Sequence, residues 1–284
     1  MLPAQAMDGG AEICDETRFA PAGHFTDLAI TPDPHPMTTF AVVIPAMNEA
    51  GNIGHLVTEI DDVLKDTPPV AIIVVDDGSD DATAEELRQT MTAVPRLRVL
   101  RHQVRSGQSA AVRSGVRAAV EAEVIITLDG DGQNPPPDIP ALLTRLTDTT
   151  RPHVGLVNGW RVGRKATGSR RFASRAANAI RQAVLRDDCP DSGCGLKAFR
   201  RADYLELPFF ATMHRFMPAL FRLYGHDVAT VEIGDRDRSA GQSKYTNWKR
   251  ALDGIVDLLG FVWLRYRARN PGATEVTRSD GGGA

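Results

Sequence analysis

Between residues 40 and 158 the sequence alternates short apolar runs with stretches whose apolar residues recur at helical spacing. The runs predict strands at 40–44, 70–75, 97–100, 124–128 and 154–158, and the stretches between them predict helices at 52–65, 82–90, 107–122 and 139–146. Strands that alternate with helices form parallel sheets joined by right-handed crossovers. The pattern therefore predicts an α/β fold with a mostly parallel sheet flanked by helices.

The alternation of predicted strands and helices becomes less regular after Trp160. We predict a basic helix over about 169–185, a strand at 196–199, a helix at 213–224, a strand at 228–233 and an apolar helix at 251–264. The predicted organisation is a disordered tail (1–37), one α/β domain (38–245), a C-terminal amphipathic helix (246–269) and a second disordered tail (270–284).

Charge and cysteine content limit the possible partners and compartment. The 33 basic and 36 acidic residues leave a net charge of −3, so we expect no nucleic-acid partner. The cations are concentrated at Arg161, Arg164, Lys165, Arg170, Arg171, Arg175, Arg181 and Arg186. This patch suits a phosphate or an anionic membrane, or else it is a solvated helix face. Three cysteines cannot form an even disulfide framework, which favours a reducing, cytosolic setting.

Two strands end in acidic residues. Asp129 and Asp131 follow the apolar run at 124–128, with the amide of Gln133 two residues further on, and Asp76 and Asp77 follow the run at 70–75. Ligands of open α/β sheets bind at the carboxyl ends of strands, and hard oxygen ligands suit Mg²⁺ or Mn²⁺. The alternative is a polar turn that happens to contain two aspartates.

Four motifs occur in one order: Ile44-Pro45-Ala46-Met47-Asn48-Glu49, Val75-Asp76-Asp77-Gly78-Ser79, Asp129-Gly130-Asp131-Gly132-Gln133, and Arg238 followed by Gly241-Gln242-Ser243-Lys244. In these motifs the chain resembles the inverting family 2 glycosyltransferases, and within them the dolichol-phosphate mannosyltransferase branch, over about residues 39–265. The resemblance implies a Rossmann-like fold of the GT-A type with a C-terminal, acceptor-side helical extension. It also implies transfer of a sugar from a nucleotide-diphosphate sugar, GDP-mannose or a UDP-sugar, to a polyprenyl phosphate.

The resemblance also assigns roles to individual residues. The implied nucleotide-binding residues are Pro45, Met47, Glu49, Val75, Asp76, Asp77 and Gly130. The implied metal ligands are Asp129, Asp131 and Gln133; Arg238 and Lys244 belong to the loop that closes over the donor diphosphate; and Arg161, Arg170, Ser174 and Asp191 face the acceptor phosphate. The family usually has Tyr where this chain has Met47, so a thioether contact replaces a stacked ring.

The chemistry of the transfer is compatible with these residue types. A departing nucleoside diphosphate develops negative charge, which a divalent cation and Lys or Arg stabilise. An ionised acceptor phosphate is already a nucleophile and needs no general base. A saccharide acceptor, as in cell-envelope polysaccharide synthesis, needs a base, for which the nearby acids are Asp187, Asp188 and Asp191. A catalytically silent nucleotide-sugar-binding module is the third hypothesis.

The predicted helix at 251–264 bears on membrane contact. Its 14 residues are too few to span about 30 Å of hydrocarbon at about 1.5 Å per residue. Its apolar residues are Leu252, Ile255, Val256, Leu259, Val262 and Trp263. Basic residues follow at 265–269. The pattern predicts an interfacial helix in peripheral contact with the cytoplasmic face of a membrane. The alternative is a helix packed on the sheet.

Overall fold

The computed structural model describes residues 38–162, 182, 184–236 and 247–268. Its strands are β1 (Phe40–Ala46), β2 (Ala71–Asp76), β3 (Leu97–Arg101), β4 (Val124–Thr127), β5 (Val154–Arg161), β6 (Lys197–Arg200) and β7 (Asp227–Ile233). Its helices are α1 (Ile53–Val63), α2 (Thr83–Ala93), α3 (Gln108–Ala118), α4 (Ile139–Leu146), α5 (Arg201–Glu206), α6 (Met217–Leu223) and α7 (Asn247–Arg267), with 3₁₀ turns at Pro136–Asp138 and Met213–Arg215.

The seven described strands form one sheet in the order β3-β2-β1-β4-β6-β5-β7. Strands β1, β2, β3 and β4 run parallel, as do β5 and β7, whereas β6 is antiparallel to both β4 and β5. The sheet is mixed and mostly parallel, as predicted. Because β6 runs in the opposite direction, its first residue lies at the same edge as the carboxyl ends of β4 and β5.

The sheet is buried on both faces because side chains alternate along each strand. In β1, Val42 and Ile44 pack with α1, α2 and α4, while Ala41 and Val43 pack with α3, α5, α6 and α7. Phe261 of α7 belongs to the second layer, where it stacks on Phe216 with ring centroids 5.7 Å apart. Helix α7 is therefore docked on the domain through one of its faces.

Two parts of the structure differ from the predicted elements. The helix predicted at 213–224 is a 3₁₀ turn followed by α6, with Pro218 in the first turn of α6, where a missing amide is tolerated. The sequence pattern also gave no sign of α5.

Two other predicted helices are only partly open to comparison. Most of the predicted basic helix at 169–185 lies outside the described residues. The C-terminal helix runs from Asn247 to Arg267, which is longer than the predicted apolar helix at 251–264 and lies within the predicted amphipathic segment at 246–269. Within the described residues, no helix combines the length and apolar character that crossing a bilayer requires.

Gly115 sets how closely α3 approaches the sheet. A Cβ atom at this position would overlap the side chain of Val43 on β1 and come within 3.3 Å of Val75 on β2. We expect Gly115→Ala to lower the free energy of unfolding by about 1–2 kcal/mol, because overpacking outweighs the gain in helix propensity. Urea denaturation measures the change. The control is Gly260→Ala in α7, where no atom lies within 4 Å of the added Cβ; equal losses in both variants would contradict the packing explanation.

Candidate active site

The first three sequence motifs meet at the carboxyl edge of the sheet. Strands β1, β2 and β4 are parallel neighbours, so the loops that follow them lie side by side. A Cβ at Gly130 would stand 3.2 Å from the carbonyl oxygen of Pro45 and 3.4 Å from Glu49. The amide of Asn48 donates to the Ser79 hydroxyl over 2.9 Å. The structure thus brings the three motifs into direct contact.

Asn48 shapes the loop after β1. Its φ of 56° lies in the left-handed region, which asparagine tolerates better than most residues. Its side-chain amide donates to Asp80 over 2.6 Å, and the Asp80 amide donates back to the Asn48 side chain over 3.0 Å. The neighbouring Glu49 amide donates to Thr83 at the start of α2. These bonds hold the loop after β1 against the loop after β2.

Asp77 holds the turn that leads into α3. Its buried carboxylate accepts hydrogen bonds from the amides of Ser106 and Gly107, at 2.8 and 2.7 Å. His102 contacts the same carboxylate through Nδ1 at 2.7 Å and Ser114 through Nε2. Gly107 has a φ of 88°, a conformation that favours glycine. The predicted contact of Asp77 with a nucleobase remains a prediction, because the described contacts of its carboxylate are to this turn.

Asp76 lies deeper than Asp77 and is 1% exposed. One carboxylate oxygen accepts from the amide of Ser79, and the other makes no hydrogen bond to a described group and lies 3.5 Å from the guanidinium of Arg101. Val75 is wholly buried in β2, whereas Pro45, Met47 and Glu49 are half-buried at the end of β1 and in the loop that follows it.

Helix α3 begins with two side chains that contact the site. Gln108 donates through Nε2 to Asp129 over 2.7 Å. Ser109 is buried, and its hydroxyl lies 2.7 Å from Nδ1 of His214. Burial and the nearby cations of Arg215 and Lys197 lower the pKa of His214 to about 3, so this imidazole is neutral where it shares a hydrogen bond with the Ser109 hydroxyl. Asp77 therefore positions a helix start that contacts Asp129 and the turn at 213–215.

We call the carboxyl edge of the sheet, where the turn at 129–133 meets residues 191–195, the crevice; Asp129 is half-buried there. Burial and the charge of Asp131 together raise the pKa of Asp129 from the ordinary value near 3.8 to about 6. The cations Lys197 and Arg161 and the hydrogen bond from Gln108 act in the opposite direction. Asp129 and Asp131, two of the three predicted metal ligands, therefore lie close enough to repel each other.

Cations and Asp191 occupy the side of the crevice formed by β5 and β6. Arg161 donates two hydrogen bonds to Asp191, at 2.7 and 3.0 Å, in a bidentate pair that is largely buried. Lys197 is 3% exposed and donates to Asn158 over 2.5 Å. Arg161 and Asp191, both predicted to face the acceptor phosphate, are thus brought together as an ion pair.

The fourth motif lies outside the described residues, as do Arg170 and Ser174 of the predicted acceptor site. Arg236, the last described residue before this motif, lies beside the acidic turn, however. The amide of Arg236 donates to the carbonyl oxygen of Gln133 over 3.1 Å, and its guanidinium pairs with Glu59 at 2.9 Å. The last described residues before this segment therefore lie against the turn that carries Asp129 and Asp131.

The donor set fits a divalent cation of the Mg²⁺ or Mn²⁺ type. Asp129 and Asp131 offer carboxylate oxygens in a partly buried setting where the charge of Asp131 disfavours that of Asp129. Within the described residues, no group of three His, Cys, Asp or Glu side chains is arranged as a metal cage. Mg²⁺ favours sites with few protein carboxylates, in which water and substrate phosphates complete the coordination shell.

Four residues of this site were not predicted from the sequence: Gln108, Asn158, Gly195 and Lys197. Two of them left a faint signal. Gln108 follows the glycine that opens a helix after β3, and Lys197 is a lone charge within the apolar run 196–199. Gly195 packs directly on Asp129, since a Cβ there would overlap the Asp129 carboxylate.

Residues 41–207, more than half of the chain, match the family model described as Glycosyl transferase family 2. The chain therefore belongs to glycosyltransferase family 2, and the resemblance inferred from its motifs is confirmed.

Curated relatives and solved structures agree with this assignment. Dodecaprenyl-phosphate galacturonate synthase of Rhizobium johnstonii is 33% identical over 245 residues, which cover 84% of this chain and 71% of that protein. Undecaprenyl-phosphate 4-deoxy-4-formamido-L-arabinose transferase of Pseudomonas fluorescens is 30% identical over 229 residues, which cover 80% of this chain and 65% of that protein. Like several other curated relatives, the second protein is therefore matched over only about two thirds of its length.

Glucosyl-3-phosphoglycerate synthase from Mycobacterium tuberculosis in complex with UDP superposes with a TM-score of 0.59 at 22% identity, covering 80% of this chain and 81% of that one. Another structure of that enzyme contains Mn²⁺, UDP-glucose and glycerol 3-phosphate. At this level of identity the likeness concerns the fold, and it confirms the predicted GT-A type.

The raised pKa of Asp129 predicts a pH-dependent penalty on stability. The folded state holds the Asp129 proton up to about pH 6 and the unfolded state only to about 3.8. The carboxylate therefore destabilises the fold increasingly as the pH rises between these values. With a chelator present, we expect Asp129→Asn to be more stable than the parent by about 1–3 kcal/mol above pH 6, with no difference below about pH 4. Urea denaturation at several pH values measures this.

Asp148 provides the control. Hydrogen bonds from Thr150 lower the pKa of Asp148, so Asp148→Asn should not stabilise the protein at any pH. A stability gain for Asp129→Asn that is independent of pH would show that charge is not its cause.

Proposed function

We propose that this glycosyltransferase moves a sugar from a nucleotide-diphosphate sugar, GDP-mannose or a UDP-sugar, to a polyprenyl phosphate, with inversion at the anomeric carbon and with Mg²⁺ or Mn²⁺. One observation carries the proposal: the crevice combines a carboxylate pair with cations, and its acid on the acceptor side, Asp191, is already held by Arg161. The names of the Rhizobium johnstonii and Pseudomonas fluorescens relatives specify polyprenyl-phosphate acceptors, which supports the choice of acceptor.

On the donor side, Asp129 and Asp131 would hold the divalent cation, which neutralises negative charge on the leaving diphosphate. Gln108 orients Asp129 through its hydrogen bond, and Gly195 leaves room for that carboxylate. Pro45 and Glu49, which border Gly130, would line the nucleotide together with Met47. Arg238 and Lys244 would add cations to the same diphosphate, and the hydrogen bond between Arg236 and Gln133 supports this, because Arg236 is the last described residue before them and lies at the acidic turn.

In the transfer itself, an oxygen of the acceptor phosphate attacks the anomeric carbon opposite the nucleoside diphosphate. A carbon–oxygen bond forms to the acceptor, the bond to the donor β-phosphate breaks, and the leaving group takes the electron pair. No proton moves, because the acceptor phosphate is ionised near neutral pH. The site must therefore align the reacting groups and stabilise charge rather than supply a base.

A hydroxyl acceptor on a saccharide fits the site less well. The base would have to be one of the three nearby acids, Asp187, Asp188 and Asp191. Both oxygens of Asp191 accept hydrogen bonds from Arg161, Asp188 pairs with Arg222 on an exposed surface, and Asp187 is wholly buried. Accepting a proton from a hydroxyl would compete with these ion pairs and with burial. An ionised phosphate needs no base.

The direct test is product formation with matched variants. Labelled GDP- and UDP-sugars are incubated with polyprenyl phosphate and Mn²⁺, and the label is followed into the lipid extract. We expect label in lipid with the parent and a loss of at least about 10²-fold in Asp131→Asn and in EDTA, because charge stabilisation of the leaving group is lost. The control is Asp227→Asn, because Asp227 is exposed at the start of β7, at the edge of the sheet opposite the crevice.

Each other outcome has a definite meaning. Full turnover in EDTA would exclude the metal-dependent mechanism. Label in a soluble saccharide but not in lipid would favour the second acceptor class. Donor binding without any transfer would favour a silent binding module.

We also propose that α7 rests on the cytoplasmic face of a membrane. Its exposed residues include Val256, Leu259, Val262, Trp263 and Tyr266, while Phe261 on the opposite side is buried. An apolar stripe followed by Arg265 and Arg267 is typical of an interfacial helix. Cys189 and Cys194 are buried and not joined in a disulfide, which is compatible with a reducing compartment.

Binding to liposomes tests this contact. We expect sedimentation with anionic liposomes to decrease as salt increases, because cations near the surface contribute about 1 kcal/mol each and are screened. It should decrease further in Leu259→Ser/Trp263→Ser, which removes apolar area from the exposed stripe. Val120→Ser, a substitution of an exposed apolar residue outside α7, is the control. Equal binding by all three proteins would contradict the proposal.

A further inference from the structure

Lys197 is a buried cation at the catalytic edge of the sheet. It is the first residue of β6 and pairs with Thr127 at the end of β4 and Asn158 on β5. Because β6 is antiparallel to both neighbours, this first residue lies where β4 and β5 end. The Lys197 side chain is therefore directed into the layer beneath Asp129 and Asp191, both of which act on its charge.

The ammonium group of Lys197 has three acceptors, and all of them are neutral. Nζ donates to Oδ1 of Asn158 over 2.5 Å, to the carbonyl of Ser192 over 3.0 Å and to the carbonyl of Cys194 over 2.5 Å. Asn158 is wholly buried, and its Nδ2 donates to the carbonyl of Asp191 over 2.9 Å. The two side chains together bind the backbone of residues 191, 192 and 194.

The segment they bind, residues 191–195, connects the two halves of the crevice. At one end the Asp191 carboxylate holds Arg161. At the other end Gly195 packs against the Asp129 carboxylate, and its carbonyl accepts from the Thr127 hydroxyl over 2.8 Å. A shift of this segment would therefore move the Arg161–Asp191 pair relative to Asp129.

A purely structural role does not explain the charge of Lys197. Burial lowers the pKa of its ammonium group, whereas the nearby Cys194, Cys189, Asp191 and Asp129 raise it. Burying a cation without a directly paired anion is costly, and apolar replacements of buried charged groups are often neutral or stabilising. The carboxylates of Asp129 and Asp191 belong to the candidate active site, so the retained cation is best explained by that site.

We propose that Lys197, together with Asn158, is a positioning residue for glycosyl transfer: it holds residues 191–195 so that the acceptor side of the crevice is aligned with the carboxylates on the donor side. Lys197 contacts neither substrate and acts through this segment. The inference rests on the proposed function for the identity of the acceptor, but the alignment itself depends only on the described contacts.

The test separates alignment from binding. In Lys197→Met, we expect kcat for transfer to polyprenyl phosphate to fall on the order of 10²-fold, as misplacement by about 1 Å does. The dissociation constant of the nucleoside diphosphate with Mn²⁺, measured by calorimetry, should change by less than about fivefold. Asn158→Leu should cause a similar loss of kcat, and the double variant should lose no more than either single variant, because residues that act as a unit are non-additive.

Arg201 offers a matched control at the other end of β6. Its guanidinium also donates to backbone carbonyls, including that of Val116 over 2.9 Å, but away from the crevice. Arg201→Met should lower the melting temperature while leaving kcat within about twofold. If Lys197→Met does not fold, the double variant Lys197→Met/Asn158→Leu carries the test, since it replaces the whole polar pair with apolar side chains.

Three results would overturn the proposal: unchanged kcat in Lys197→Met, additive losses in the double variant, or loss of nucleotide binding in parallel with activity. A parent enzyme that does not use polyprenyl phosphate would instead contradict the proposed function. The Lys197 variants would then be compared in whichever transfer the parent performs, so the two failures are distinguishable.

Discussion

The carboxylate of Asp129 beside that of Asp131 is the constraint around which the crevice is organised. Two such groups held together in a partly buried place repel each other, and burial alone already disfavours the charge of Asp129. The compensation comes from three separate elements: a hydrogen bond from Gln108 on α3, and the charges of Arg161 on β5 and Lys197 on β6. The acidic edge is thus a property of the whole sheet rather than of the turn that carries the aspartates.

This compensation depends on the direction of one short strand. If β6 ran parallel to its neighbours, Lys197 would lie at the opposite edge of the sheet, far from Asp129. Because β6 is antiparallel, the segment that precedes it enters the crevice between β4 and β5. Arg201, directly after β6, then lies at the other edge and binds carbonyls at the end of α3. One reversed strand therefore supplies a cation to the catalytic edge and anchors a helix at the opposite edge.

Much of the donor side could be predicted from sequence, because the relevant signals are local. Asp129 and Asp131 follow an apolar run, and parallel strands bring such ends to one edge. On the acceptor side the resemblance named Arg161 and Asp191, but the roles of Lys197 and Asn158 could not be predicted, since the direction and neighbours of β6 depend on pairing between residues far apart in the chain. Asp77 shows a second limit: the motif identifies it, but only the structure shows its carboxylate holding Ser106 and Gly107.

Under the proposed function, the same charges must serve two anions at once. The leaving diphosphate and the acceptor phosphate are both negative, and the bare pair of Asp129 and Asp131 would repel each of them. A divalent cation held by these carboxylates would neutralise their two negative charges and so remove this repulsion on the donor side. The acceptor side needs no such neutralisation, because Arg161 and Lys197 already outnumber Asp191 there. Holding those cations rigidly, through Asn158 and the backbone of residues 191–194, then determines how the two phosphates are oriented toward each other.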